Sequence, residues 1–180
     1  MTTSGLAHSQ PGEGLWDFAI DLYRTPGVAD ACLALQDHHG CDVNVVLFAA
    51  WLGAVRGDRV AGAELGELVV GIAAWRDEIV RPLRMVRRTL KSGPLPAPST
   101  ATEELRTRIK AVELESERIE LLRLEALASN RRPKGDDPAE ASLANLTHAV
   151  RLFTSGEPGS DCMQLIHAIH SALAEKLARP

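Results

Sequence analysis

Between Asp42 and Arg56 the chain runs Val-Asn-Val-Val-Leu-Phe-Ala-Ala-Trp-Leu-Gly-Ala-Val, a stretch with no charged side chain in which Asn44 is the only amide. Read as a helix, Val43, Val46, Leu47, Ala50 and Trp51 line one side and Val45, Phe48, Leu52 and Val55 another. A helix that is apolar all round must be enclosed. At about 20 Å it is too short for a hydrocarbon core of about 30 Å, so protein must do the enclosing. The rest of the chain supplies helix formers for this: 25 alanines and 24 leucines against 12 valines and 7 isoleucines, with only 7 aromatic residues. The expected fold is all-α, a single helical bundle of about six to eight helices around a central apolar helix at 43–55, a size that suits 180 residues.

The flanking sequence divides into further helices. Residues 1–12 have little to bury and are expected to form a flexible tail. Trp16, Ala19, Ile20 and Tyr23 form the stripe of a first helix ending near Thr25. Pro26 can open the second, which buries Val28, Cys32 and Leu35 and stops at Gly40, and Asp42 can cap the third. Leu65, Leu68, Ile72 and Trp75 continue the period, which resumes at Ile79, Leu83, Val86 and Leu90, with Pro82 predicting a kink or a new start. A helical core over 13–92 is therefore expected, then a Pro-rich linker at 93–101 with extended polyproline character. Beyond it, 102–129 reads as one long charged helix with an apolar stripe at Leu105, Ile109, Val112, Ile119 and Leu122, suited to packing in a bundle or dimer. Two more helices follow, through Leu146 and Val150 and then, from a Ser160 or Asp161 cap, through Ile166 and Leu173; the region 102–178 is expected to pack on the same bundle.

The net charge of −4 argues against a surface given over wholly to nucleic acid, but leaves room for a local basic face. Cys32, Cys41 and Cys162 are too few and too irregularly spaced for a disulfide framework, which points to the reducing cytoplasm. The first 14 residues carry no lysine, no arginine and no apolar segment of useful length, so neither a secretory nor a transit peptide is expected. There is no candidate transmembrane segment either.

Three constellations carry possible chemistry. The segment Gln36 to Asn44 concentrates residue types suited to acid–base or metal chemistry, including Asp37, His38 and His39, although its spacing matches no zinc pattern and helix-end capping explains most of it. Asn44, in an apolar helix, must find a partner in the backbone, Gln36 or a ligand. Trp16, Trp51 and Trp75 fit a pocket wall or ordinary core. The second constellation is Arg81, Arg84, Arg87, Arg88 and Lys91, with no acid between Ile79 and Thr102. That basic amphipathic helix can meet phosphate, an anionic surface or an acidic partner helix, or it can pair with the glutamates of the following long helix. The third, Cys162, His167 and His170, lacks a ligand motif and favours packing. No catalytic fingerprint is present, and neither a metal nor another cofactor is expected.

The runs Leu15-Trp16-Asp17-Phe18-Ala19 to Tyr23, Gly27 to Asp37, and Gly40-Cys41-Asp42-Val43-Asn44 with Leu47-Phe48 and Trp51, followed by Trp75-Arg76, Pro82-Leu83-Arg84 and Arg87-Arg88, resemble a proteobacterial family of conserved hypothetical proteins, a helical domain of unknown function. The resemblance spans about residues 13 to 128 and implies a small all-helical cytoplasmic protein with no activity to carry over. Two readings of function follow from the residues. In the first, the chain is an interaction or regulatory module that uses Arg81, Arg84, Arg87, Arg88 and Lys91 to bind another protein, an anionic partner or nucleic acid, with a homo-oligomer also compatible. In the second, it is a small-molecule enzyme or ligand-binding protein whose pocket joins Trp16, Tyr23, Gln36, Asp37, His38, Asn44 and Trp75, with Asp37 or His38 as acid or base.

Overall fold

A computed structural model of the chain describes residues 14–154 and 156–178. All regular structure among them is helical, and the tail expected at 1–12 lies outside them. Helix α1 (Leu15–Tyr23) leads into α2 (Val28–His39), and α3 (Val43–Ala54) follows. Gly27 and Gly40 flank α2 in the left-handed region, at φ 83° and 66°, where a Cβ is strained. Helix α2 therefore starts at Val28 and not at Pro26, because the turn passes through Gly27 first. Asp42 caps α3, its carboxylate accepting the Asn44 N–H at 2.9 Å.

Every residue of α3 from Asn44 to Ala54 is buried. Helix α8 (Pro138–Arg151) crosses it most closely, at Gly53, where a Cβ would lie 2.2 Å from the Ser142 backbone nitrogen. Asn145 fixes that crossing: its side chain accepts the Val60 N–H and donates to the Asp58 carbonyl, both at 2.8 Å. Helix α9 (Ser160–Leu177) closes over α2 and α8 and buries Ile166, Ile169 and Leu173. Its cap is Gly159, not the side chain of Ser160 or Asp161. His170 is used in packing, with Nε2 at 2.9 Å from the Ala139 carbonyl. Each large side chain enclosed here, such as Phe48, Leu52 or Leu146, contributes about 1.5–3 kcal/mol of transfer free energy.

The period expected through Trp75 is interrupted. Helix α4 (Gly62–Val70) ends at Gly71, and α5 (Ala73–Trp75) starts a new axis that continues through a π-helical turn (Arg76–Val80) into α6 (Arg81–Thr89). Pro82 stands in the first turn of α6. Its ring crowds the carbonyl four residues back, and the wider π turn relieves that conflict. The connection to the long helix α7 (Thr100–Ser129) folds back as a turn, with the Ala97 N–H on the Pro94 carbonyl at 2.9 Å, and does not run as an extended polyproline segment.

Helix α7 is rotated away from what its apolar stripe predicts, and of that stripe only Ile109 is half-buried. Its buried side carries Glu113, Ser116 and Glu120 with Leu121, Leu124 and Ala128, whereas Leu105, Val112, Ile119 and Leu122 face outward. The reason is the neighbour. Helix α6 presents arginines to α7, and ion pairing sets the rotation that apolar burial would otherwise decide.

Candidate functional site

A cleft of about 280 Å³ opens between α1, the start of α3, α6 and the middle of α7. Its floor is apolar: Trp16, Ala19 and Ile20 from α1, Leu33 from α2, Val43 and Leu47 from α3, and Leu121 from α7. The one-sided stripe of α1 and the enclosure of α3 put these side chains there. The lip is charged, with Arg84 and Arg87 on one side and Lys110, Glu113 and Glu117 on the other.

The lip is built by ion pairs. Arg84 Nε reaches Glu113 Oε1 at 3.2 Å and its Nη2 reaches Glu117 Oε1 at 2.5 Å. Arg87 grips Glu113 through two nitrogens, Nε on Oε2 and Nη2 on Oε1, the latter at 3.1 Å. Glu113 is 5% exposed, so one carboxylate holds two guanidiniums away from solvent. Desolvation pushes the Glu117 carboxyl above its ordinary value and Arg84 pulls it back. Lys110 has no ion pair among the described residues, which leaves a cation at the mouth. Burial raises the Tyr23 phenol, and its hydroxyl has no hydrogen-bond partner among the described residues.

Beneath the lip lies a second polar layer. Asn44 Nδ2 donates to Glu120 Oε2 at 2.9 Å, which supplies the partner its position demands. Glu120 is 1% exposed, and its Oε1 has no hydrogen-bond partner among the described residues. Burial, and then the charge of Asp42, push its carboxyl up to about 8, and the Asn44 amide offsets part of that. Arg76 Nε stands 3.9 Å from Asp42 Oδ2, and Trp75 Nε1 donates to the Ser116 carbonyl at 3.0 Å.

The cleft unites residues from both sequence-derived groups. Trp16, Tyr23, Gln36 and Asn44 line it, as do Arg84 and Arg87 from the basic helix. Asp37, His38 and Trp75 do not. Asp37 is exposed and accepts from Arg88 at 2.6 Å, His38 is exposed, and Trp75 is spent on Ser116. Arg81 pairs with Asp77 at 2.9 Å, and Lys91 is exposed in the turn that follows α6. Trp51 is core. The residues that sequence reasoning missed are Lys110, Glu113, Leu114, Glu117 and Glu120, all on α7. Pairing of the basic helix with glutamates of the long helix is among the sequence-derived alternatives and is what Arg84 and Arg87 do, but which glutamates they meet depends on the rotation of α7, which spacing alone does not fix.

A separate polar cluster is structural. Fully buried Asp58 accepts from Arg131 Nε at 3.0 Å, and Arg56 Nη2 donates to the Arg131 carbonyl at 2.8 Å, tying the loop after α3 to the segment before α8. Among the described residues no three histidine, cysteine, aspartate or glutamate side chains are grouped to hold a metal ion. Nor is any helix among them long and apolar enough to cross a membrane.

Residues 14–124 match a family described as a protein of unknown function, DUF2390. No curated protein and no solved structure matches the chain.

Proposed function

We propose, given that the chain belongs to the DUF2390 family and that every residue lining the cleft falls within the matched span, that this cleft is the functional centre and binds a small amphipathic molecule. The carrying observation is the juxtaposition of an aromatic and aliphatic floor with the Lys110 ammonium, without an ion pair among the described residues, and the Tyr23 hydroxyl, without a hydrogen-bond partner among them. Small-molecule sites have this form: an apolar body with a few convergent polar groups. An apolar ligand body would lie on Trp16, Ile20 and Leu47 while an anionic end meets Lys110. The cleft's volume is at the small end for such sites, which favours a compact ligand.

Octanoate and octanol test this reading in thermal-shift and calorimetric titrations. Octanoate is expected to bind and raise the melting temperature, octanol less so, and Lys110→Glu should remove the difference between them. Leu114→Trp, which crowds the mouth at an exposed position, should abolish both effects with the starting melting temperature unchanged. No binding of either compound, or equal binding in Lys110→Glu and the parent, would overturn the reading.

The free and buried state of Cys32, Cys41 and Cys162, the first two pushed up to about 12 by burial, supports a reducing, cytoplasmic setting. A second reading, an interaction module, draws support from the α6–α7 pair. Arg84 and Arg87 are engaged internally, but Arg81, Arg88 and Lys91 remain on the outside beside the exposed Met85 and Val86. That reading concerns the outer surface of the bundle and leaves the cleft unaffected.

A further inference from the structure

The outward side of α7 carries a repeat that its fold does not use. Leu105, Val112 and Ile119 recur at intervals of seven and are 39%, 55% and 44% exposed. Such a row, on a helix of 30 residues, has the form of a two-helix seam, and among the described residues no helix is laid on it. Arg108 and Glu115 border the row on one flank, each three residues after a seam position. Arg108 has no ion pair among the described residues, and the only one Glu115 makes there is with Arg118 at 3.7 Å.

We propose that this seam is covered by the α7 of a second copy of the chain, lying antiparallel about a two-fold axis through Val112. The charges select both occupant and direction. With two copies antiparallel about Val112, Leu105 of each meets Ile119 of the other, and Arg108 of each comes level with Glu115 of the other, within about one residue's rise along the axis. A parallel pair would carry the Arg108 and Glu115 flanks of the two copies to opposite sides of the seam, so that neither charge would meet its opposite. The contact is isologous, so it closes as a dimer and does not propagate. Lys110, Glu113 and Glu117 lie on the other side of α7, so the cleft stays open in the dimer and the proposal stands independently of any ligand.

Analytical ultracentrifugation of the full chain at tens of micromolar tests the proposal. The parent is expected to sediment as a dimer and Val112→Glu as a monomer with an unchanged melting temperature, since this position is solvent-exposed in the single chain. Arg108→Glu and Glu115→Arg should each raise the dissociation constant about tenfold, and the two together should restore it. Direction is read by cysteine crosslinking under mild oxidation: Val112→Cys should form a covalent dimer with itself, and Leu105→Cys only when mixed with Ile119→Cys. A monomeric parent, a dimer indifferent to Val112→Glu, or self-crosslinking of Leu105→Cys would each overturn the proposal.

Discussion

At the scale of single residues, Glu120 carries the most consequence. It is enclosed beneath the cleft, holds Asn44, and has a carboxyl pushed up to about 8 by burial and by Asp42. An unfolded glutamate titrates near 4.5, so between about pH 4.5 and 8 the folded chain binds more protons than the unfolded one. Stability therefore falls as pH rises through that window and levels off above it. Glu117, raised in the same direction, adds to the slope. Urea unfolding from pH 5 to 8.5 should show this decline in the parent. Glu120→Gln, which preserves an acceptor for Asn44, should flatten it and leave the variant the more stable at pH 8.5; a slope unchanged by the substitution would show that Glu120 titrates normally. The sequence made half of this legible. An amide in an apolar helix has to be answered, and Asn44 stands out in the sequence for that reason. The partner, 76 residues away, was out of reach because its register depends on how α7 rotates.

Elements show the same division. The left-handed stop at Gly40, the Asp42 cap and the enclosure of α3 follow from local rules, and they appear as expected except at Val55, which lies just past the helix and is 40% exposed. The start of α2, the break at Gly71 and the π turn ahead of Pro82 depend on how neighbouring axes meet, which periodicity does not encode. Helix α7 is the sharpest case: its apolar stripe predicts the buried side, and the arginines of α6 override it. Close crossings were also illegible. Gly53 reads as a neutral member of an apolar run, yet it is where the backbone of α8 touches α3. Gly53→Ala should cost about 2–3 kcal/mol in equilibrium unfolding, because the added methyl meets backbone. Gly66→Ala in α4, whose added methyl meets only Leu152 at 3.5 Å, should be neutral or gain up to about 1 kcal/mol from helix propensity. Equal effects at the two sites would mean that α3 and α8 are not in contact there.

For the whole molecule, the family match and the physical unit differ in extent. The match ends at residue 124, inside α7, whereas one side of the central helix is closed by α8 and α9, which begin at residues 138 and 160. The cleft belongs to the matched part, and the enclosure that makes α3 rigid enough to form its floor comes partly from beyond it. The bundle thus rests on two kinds of closure: apolar burial around α3, and an inward-facing ionic layer between α6 and α7 that turns an apolar seam to the outside. The second is the claim on which both the cleft and the dimer depend. It is tested most directly by urea unfolding, in solutions dilute enough to keep the chain monomeric, of Glu113→Ala beside Val112→Ser. The account predicts a loss of about 3 kcal/mol for Glu113→Ala, which strands the partly buried Arg87 guanidinium and leaves Arg84 with Glu117 alone, and less than about 0.5 kcal/mol for Val112→Ser. The reverse order, a large loss at Val112 and little at Glu113, would contradict it.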